Sequence, residues 1–253
     1  MQVVIPMAGA GRRFAEAGYT LPKPLIPIDG VPMVVRAARG LPPASRVVLV
    51  CNAEHIRDHA LDTALNHWLP DCKVVVTDGL TAGQAASVQL AMPELDPRQP
   101  VLVAACDNTH AYSQTRFAEA TADPATDALL WTYAGESRVL VRPHYYGWVA
   151  ADASGRVQRV GVKQTVSATP ERDDVLSGAF WFRSAELLDT AIDRLIAADI
   201  RVNGEFYIDS VAEMLVAERR VVKTFRVDKY IGWGTPDELE DYCRWRDYFA
   251  HAA

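Results

Sequence analysis

Between residues 8 and 24 the chain gathers Gly9, Gly11, Arg12, Arg13 and Lys23, with Pro22 and Pro24 on either side of the lysine. Glycines leaving a strand remove the Cβ and permit positive φ, so main-chain N–H groups can close on phosphate oxygens. Ala8-Gly9-Ala10-Gly11 can do this, and it can equally be a plain turn. Arg13 and Lys23 in the same excursion are two cations suited to a triphosphate whose charge must be neutralised as it reacts. Two common phosphate chemistries are disfavoured. Phe14 stands where a dinucleotide fingerprint needs glycine, and the following strand ends in Cys51-Asn52 with no acidic ribose ligand. The P-loop pattern G-x-x-x-x-G-K-[ST] is absent, which argues against a P-loop kinase or GTPase.

The elements that must position this stretch follow from periodicity. Gln2 to Met7 is β-branched and opens into the loop, which at this length in a compact domain is expected to be functional. Met33 to Arg39 reads as a helix with Pro32 before it and Gly40 after it. Arg46 to Cys51 is a strand, and Ile56, Ala60, Leu61, Ala64, Leu65 and Trp68 share one face of a helix. Strands at Lys73 to Thr77 and Pro100 to Ala105 flank a helix from Gln84 to Met92. Beyond residue 127, strands are expected at 129–133, 138–142, 146–151, 156–162, 176–182 and 221–227, with a hairpin turn at Ser154-Gly155. Helices are expected at 185–198, 208–218 and 236–249. Such alternation predicts an α/β fold: a single domain with a mostly parallel mixed sheet flanked by helices. Ligands of such sheets bind beyond the carboxyl ends of strands, where the segments starting at Ala8, Asp78 and Cys106 lie. No linker divides the chain, so 1–253 reads as one domain, with a first half to residue 126 and a second from 127 that serves an acceptor.

Composition sets the outer limits. With 49% apolar and 23% charged residues the chain is globular, which excludes disordered and fibrous classes. A net charge of −6 argues against a nucleic-acid partner held by bulk charge, while leaving room for a local site for one small anion. Cys51, Cys72, Cys106 and Cys243 lack C-x-x-C spacing and sit mostly in or beside apolar runs, as reduced thiols do, so a cytoplasmic compartment is expected. The apolar runs are too short to cross a bilayer, and no membrane partner is expected. His55 and His59 lack a third ligand and read as a solvated face; Trp131, Trp148, Trp181 and Trp233 read as core or pocket wall.

Ile5-Pro6-Met7-Ala8-Gly9-Ala10-Gly11-Arg12-Arg13-Phe14, then Pro22-Lys23-Pro24-Leu25 and Gly30-Val31-Pro32-Met33, resembles the signature of the sugar-phosphate nucleotidyltransferase family. Four later segments extend the resemblance in order: Thr81 to Val88, Ala105-Cys106-Asp107-Asn108, Ser177-Gly178-Ala179-Phe180 and Gly234-Thr235-Pro236-Asp237-Glu238-Leu239. It implies a fold like that of nucleotide-diphospho-sugar transferases. The implied activity is attack by an acceptor phosphate on the α-phosphorus of a nucleoside triphosphate, with Mg²⁺ as cofactor and pyrophosphate released. Arg13 and the Ala8 to Gly11 main chain would hold the β and γ phosphates, and Lys23 would stabilise charge at the α-phosphorus. Gln84, with Gly83 and Ser87 in the same segment, would read the base edge, a pyrimidine by the resemblance. Asp107 would bind Mg²⁺, although a helix cap or Asx turn is its bland alternative. Lys163 resembles the lysine that grips the acceptor phosphate, but Val162 and Gln164 replace the usual Glu and Pro around it. Asn108, Gly178 and Glu205 would face the acceptor.

Gly232 stands where many members carry the second metal carboxylate, two residues before the Gly-Thr-Pro turn. Asp228 is the nearest substitute, with Glu205 or Asp209 from another segment behind it. The Asp107-Asn108 and Ser177-Gly178 pairs resemble phosphocholine-type and capsule-associated cytidylyl-transferring members, so CTP is expected first, with UTP and dTTP next. The partners are then a nucleoside triphosphate and a small phosphorylated acceptor, with a homodimer left open. Two other classes compete: a glycosyltransferase of the related fold, disfavoured because Cys106-Asp107-Asn108 lacks Asp-x-Asp, and a non-catalytic nucleotide sensor, disfavoured because Arg13, Lys23 and Asp107 are all present. Lys23→Ala should lower turnover far more than folding stability, because an exposed loop lysine contributes little to the core; turnover equal to that of the parent would remove Lys23 from the mechanism.

Overall fold

A computed structural model describes residues 1–252. The chain opens with β1 (Gln2–Pro6), whose residues alternate across the sheet: Val3 and Ile5 enter one core and Val4 the other. The phosphate-loop candidate follows and is partly helical, with α1 at Arg12–Glu16 and a 3₁₀ turn at Lys23–Leu25. Phe14, 1% exposed, explains the short helix, because it anchors α1 on Ile26, Ile28, Met33, Trp233 and Leu239 beneath the loop. A small hairpin, β2 (Pro27–Ile28) and β3 (Val31–Pro32), leads into α2 (Met33–Arg39) with Pro32 and Gly40 as its caps.

Next come β4 (Arg46–Asn52), α3 (Ala53–His59) and α4 (Leu61–Trp68). Sequence spacing predicts one helix here, and the chain makes two, broken at Ala60 with φ 49°. The break lets Leu61 and Leu65 enter the core while α3 buries nothing. Then follow β5 (Lys73–Thr77), α5 (Gln84–Gln89) and β6 (Val101–Ala104). Two further elements, β7 (Asn108–Ala111) and α6 (Gln114–Ala122), have no apolar run to announce them. The second half supplies β8 (Ala128–Tyr133), β9 (Trp148–Ala151), β10 (Val157–Gly161) and β11 (Asp174–Phe182). The strand expected at 138–142 is instead 3₁₀ turn, because Pro143 lacks an N–H and Val139 is the one residue of Ser137–Leu140 that is buried. Helices α7 (Ala185–Ala197) and α8 (Ile208–Ala217), strands β12 (Val222–Arg226) and β13 (Lys229–Gly232), and α9 (Pro236–Ala252) complete the chain.

The main sheet runs β10-β9-β11-β6-β1-β4-β5, and β8 joins β11 to β12. It is parallel through β6, β1, β4 and β5 and between β8 and β12, and antiparallel where β11 meets its neighbours. This is the mixed α/β sheet flanked by helices that the sequence pattern predicts. One face packs Val4, Val50 and Val103 on α5, α7 and α8 through residues such as Val88, Leu188, Ile192 and Val211. The other packs Ile5, Leu49 and Leu102 on Val34, Leu65, Phe117 and Trp131. Trp131, Trp148, Trp181 and Trp233 are all buried, and the four cysteines are free thiols. Among the described residues no helix is long and apolar enough to cross a membrane.

Strand β7 pairs with β13, which ties the segment after β6 to the start of α9. Its His110 is buried between Trp131 and Tyr230, and neither ring nitrogen makes a well-formed hydrogen bond. Burial lowers its pKa from 6.5 to about 4, and the nearby Ser177 main chain offsets only part of this. The unfolded chain therefore takes up the proton first as pH falls, so stability is complete above about pH 6.5 and declines toward pH 4 by on the order of 3 kcal/mol. Replacing His110 with Phe should remove that acid limb from urea-unfolding curves measured between pH 4 and 7; parallel pH dependence in the two proteins would contradict it.

Candidate active site

A cleft of about 690 Å³ opens at the carboxyl ends of β1 and β6 and extends across the sheet toward α8. It is lined by Ala8, Gly9, Ala10, Gly11, Arg13, Lys23, Gly83, Gln84, Ser87, Asp107, Asn108, Lys163, Gly178 and Glu205. Asp228 is not among its walls. That carboxylate is 59% exposed and pairs with Arg116 at 2.5 Å on the surface, which corrects its candidacy as a metal ligand.

The floor is set by close main-chain approaches. Gly11 holds φ 59° at the start of α1, and a Cβ there would lie 3.2 Å from the Lys23 Cβ. Gly83 has φ 122°, and a side chain would meet the Phe206 main chain at 2.6 Å. The Phe206 N–H donates to the Ala82 carbonyl and its own carbonyl accepts from the Ala85 N–H, each at 2.9 Å. That stitch fixes the start of α5, and with it Gln84, against the 203–207 segment. Ser87 is buried, with its hydroxyl 2.6 Å from the Thr81 hydroxyl, so its contacts brace the turn. Gly178 has φ 84° in an irregularity of β11 facing Ala105 and Asn108. The Asn108 amide donates to the Ser177 carbonyl at 3.0 Å, closing the same corner.

Charge is concentrated at the two ends of the cleft. Lys23 Nζ forms an ion pair with Asp107, each side chain being 20% exposed. Burial opposes the lysine's charge, yet Asp107 and Cys106 hold its pKa above the ordinary value. The Asp107 carbonyl accepts from the Trp233 N–H at 2.8 Å, which draws the Gly234 turn alongside. There Asp107 Oδ2 and Glu238 Oε2 lie 3.1 and 3.3 Å from where a Gly234 Cβ would be. Glu238 accepts from the Thr235 N–H at 3.1 Å while Thr235 accepts from the Glu238 N–H at 3.2 Å, a capping box for α9. Burial, then Asp107, pushes the Glu238 carboxyl up.

At the other end, Tyr145 gathers cations. Arg13 lies 4.9 Å and Arg142 5.5 Å from its ring centroid, and its carbonyl accepts from Lys163 Nζ at 2.6 Å. Burial lowers the Lys163 pKa; Asp209 opposes that shift, and Arg13 adds to it. Tyr207 lies beneath the same ammonium, 5.3 Å from its ring centroid, and Glu205 sits exposed at the rim. Burial raises the Asp209 carboxyl, with Lys163 opposing. Sequence reasoning does not identify Tyr145 and Glu238 as site residues. The capping pattern Thr235-x-x-Glu238 is legible in the sequence, whereas nothing local marks Tyr145, whose role depends on residues from three segments.

A profile of the MobA-like NTP transferase domain matches residues 3–175. The chain belongs to the MobA-like NTP transferase family. It is 30% identical over 239 residues to the bifunctional protein GlmU of Burkholderia pseudomallei, covering 93% of this chain and 48% of that protein. The Paraburkholderia phymatum GlmU is 28% identical over 235 residues, covering 90% and 48%. The chain thus spans about half the length of the curated relatives it matches. Among solved structures, the Vibrio cholerae nucleoside-diphosphate-sugar pyrophosphorylase superposes with TM-score 0.76 at 19% identity, covering 96% of this chain and 99% of that one. The inositol-1-phosphate CTP transferase from T. maritima gives 0.71 at 16% identity, covering 94% and 90%. Those two likenesses establish the shared fold.

Lys23 is not the exposed loop lysine that the sequence suggests, so the expectation that Lys23→Ala spares stability is revised. Its loss leaves a half-buried Asp107 without its cation, at a cost of roughly 1–3 kcal/mol. Adding Asp107→Asn should recover part of that loss, giving a coupling energy of about 1 kcal/mol or more in a double-mutant cycle by urea unfolding; simple additivity would show that the pair does not couple the two loops.

Proposed function

We propose that this chain is a Mg²⁺-dependent nucleotidyltransferase that joins a nucleoside monophosphate to a small phosphorylated acceptor and releases pyrophosphate. One observation carries the reading: Arg13 and Lys23 from the glycine loop, Lys163 from the second half and Asp107 at a strand end converge on a single cleft. Three cations around one cleft suit two polyanionic reactants, and such displacements need positioning and electrostatics more than acid-base groups.

In this reading an acceptor phosphate oxygen attacks the α-phosphorus, and the bond from that phosphorus to the β-bridging oxygen breaks as pyrophosphate leaves. The Ala8 to Gly11 main chain and Arg13 hold the β and γ phosphates. Arg13 is already oriented by its stack on Tyr145. Lys23 exchanges part of its contact with Asp107 for oxygens around the α-phosphorus, where negative charge accumulates. Lys163 orients the acceptor phosphate, and Gln84, fixed at the start of α5, meets the base edge. The resemblance of the Asp107-Asn108 and Ser177-Gly178 pairs to cytidylyl-transferring members supports CTP, with UTP and dTTP next.

The donor set fits Mg²⁺. Among the described residues no group of three or more His, Cys, Asp and Glu is arranged to hold a metal ion. Mg²⁺ usually takes only one or two carboxylates, with substrate phosphates and waters completing its shell. Asp107 would hold it, and Glu238, on the same side of Gly234, offers the second carboxylate that Gly232 cannot. When bound, the ion neutralises charge on the phosphates.

Incubating the protein with each NTP, Mg²⁺ and a panel of sugar and amino-alcohol phosphates should release pyrophosphate, fastest with CTP. EDTA should abolish release and added Mg²⁺ restore it. Lys23→Met should lower kcat by about 100-fold or more, the scale of one lost transition-state donor. No release with any pairing would overturn the transferase reading.

A further inference from the structure

One residue holds two cations of the cleft, one through its side chain and one through its main chain. Arg13 Cζ lies 4.9 Å from the centroid of the Tyr145 ring, and Lys163 Nζ donates to the Tyr145 carbonyl at 2.6 Å. They come from distant parts of the chain, Arg13 from α1 and Lys163, at φ 57°, from just beyond β10. Lys23 is held differently, by the carboxylate of Asp107, so that each charge compensates the other. Among the described residues neither Arg13 nor Lys163 forms an ion pair: Asp209 and Glu205 act on Lys163 only from beyond that distance. A ring face and a carbonyl hold a cation through a quadrupole and a dipole, so they fix its position without cancelling its charge.

The turn that carries Tyr145 is braced to stay in place. Pro143 fixes one φ of the 3₁₀ turn Pro143–Tyr145. Its carbonyl accepts from the Trp148 indole N–H at 2.8 Å and from the Tyr146 N–H at 3.3 Å, while the Tyr145 N–H donates to the Arg142 carbonyl at 3.0 Å. Trp148 is fully buried, so the turn is pinned to the core from behind while Tyr145 lines the cleft in front. Arg142 lies 5.5 Å from the same ring centroid, and the His144 ring packs perpendicular to it at 4.8 Å. Arginines stacked on an exposed tyrosine are commonly incidental surface packing. Surface packing does not require that the same residue also hold a lysine through its main chain, nor that both cations line one cleft.

We propose that Tyr145 is a positioning residue for the transfer, its ring holding Arg13 and its carbonyl holding Lys163 at a set separation with both still charged. This rests on the transferase reading and adds to it the residue that relates the two reactant ends. In-line displacement needs the triphosphate and the acceptor phosphate in a fixed relation, and a platform shared by one cation of each end supplies it. Positive charges this close also repel, and Arg13 acts on Lys163 to disfavour its ammonium. The platform offsets that repulsion in the ligand-free chain, and entering phosphates relieve it.

The test measures CTP affinity with Mg²⁺ by calorimetry, and acceptor KM by pyrophosphate release with CTP and the fastest acceptor of the phosphate panel. The parent chain is compared with Tyr145→Phe, Tyr145→Leu and Tyr145→Gly. Tyr145→Phe keeps the ring face, and both quantities should stay within about twofold of the parent. Tyr145→Leu loses the face and should weaken CTP binding by at least about fivefold, the scale of a half-buried cation–π contact, with acceptor KM near that of the parent. Tyr145→Gly also frees the main chain and should add a rise in acceptor KM of about threefold or more. Combined with Arg13→Ala, Tyr145→Leu should change CTP affinity by less than about twofold, because the ring acts through Arg13. A purely structural role would cost the same in both backgrounds. The proposal is overturned if Tyr145→Leu binds CTP like the parent, if its effect adds fully to that of Arg13→Ala, or if Tyr145→Gly and Tyr145→Leu share one acceptor KM. Failure of Tyr145→Leu or Tyr145→Gly to fold also overturns it, since the residue would then serve the fold. Failure of the transferase reading looks different: the parent chain itself then releases no pyrophosphate with any pair, and the positioning role falls with it.

Discussion

The ion pair between Lys23 and Asp107 is the interaction on which the cleft depends. It ties the loop leaving β1 to the segment leaving β6, two strands that are neighbours in the sheet but nearly a hundred residues apart in sequence. Without ligand, each charge compensates the other in a half-buried setting. The lysine keeps its proton because Asp107 and Cys106 together outweigh the burial that would remove it. In the proposed reaction a polyanion entering the cleft would find a cation already charged and positioned, leaving little to reorganise.

This arrangement reconciles an acidic protein with the anionic ligands proposed for it. The chain carries −6 overall, yet Arg13, Lys23, Arg142 and Lys163 are held at or beside the cleft, three of them through one residue, Tyr145. Local placement of charge, more than the total, decides what a cleft with low-dielectric walls attracts. The carboxylates are distributed to complement this. Asp107 and Glu238 flank Gly234 at one end of the cleft, and Asp209 and Lys163 line the other.

Much of this was legible in the sequence because it resides in local pattern. Alternating apolar residues mark β1, β4, β6 and β11, and the early glycine and cation spacing marks one end of the cleft. What was not legible depends on tertiary context. Ala60 breaks a helix that its spacing supports, because Leu61 and Leu65 must turn into the core. Strands β7 and β13 gain their pairing from each other rather than from β-propensity. Asp228 looks suitable by distance along the chain, but its backbone sends it outward to Arg116. Glu238 and Tyr145 face the cleft only because the Gly234 turn and the Pro143–Tyr145 turn are brought to it.

In the proposed function the basic glycine loop and Lys23 receive a nucleoside triphosphate. Isothermal titration calorimetry of CTP with Mg²⁺ into the protein tests it without requiring turnover. One-to-one binding that weakens as salt is raised is the expected result, since phosphate contacts by fixed cations are screened. Absence of heat with CTP, UTP, dTTP, ATP and GTP alike would contradict it.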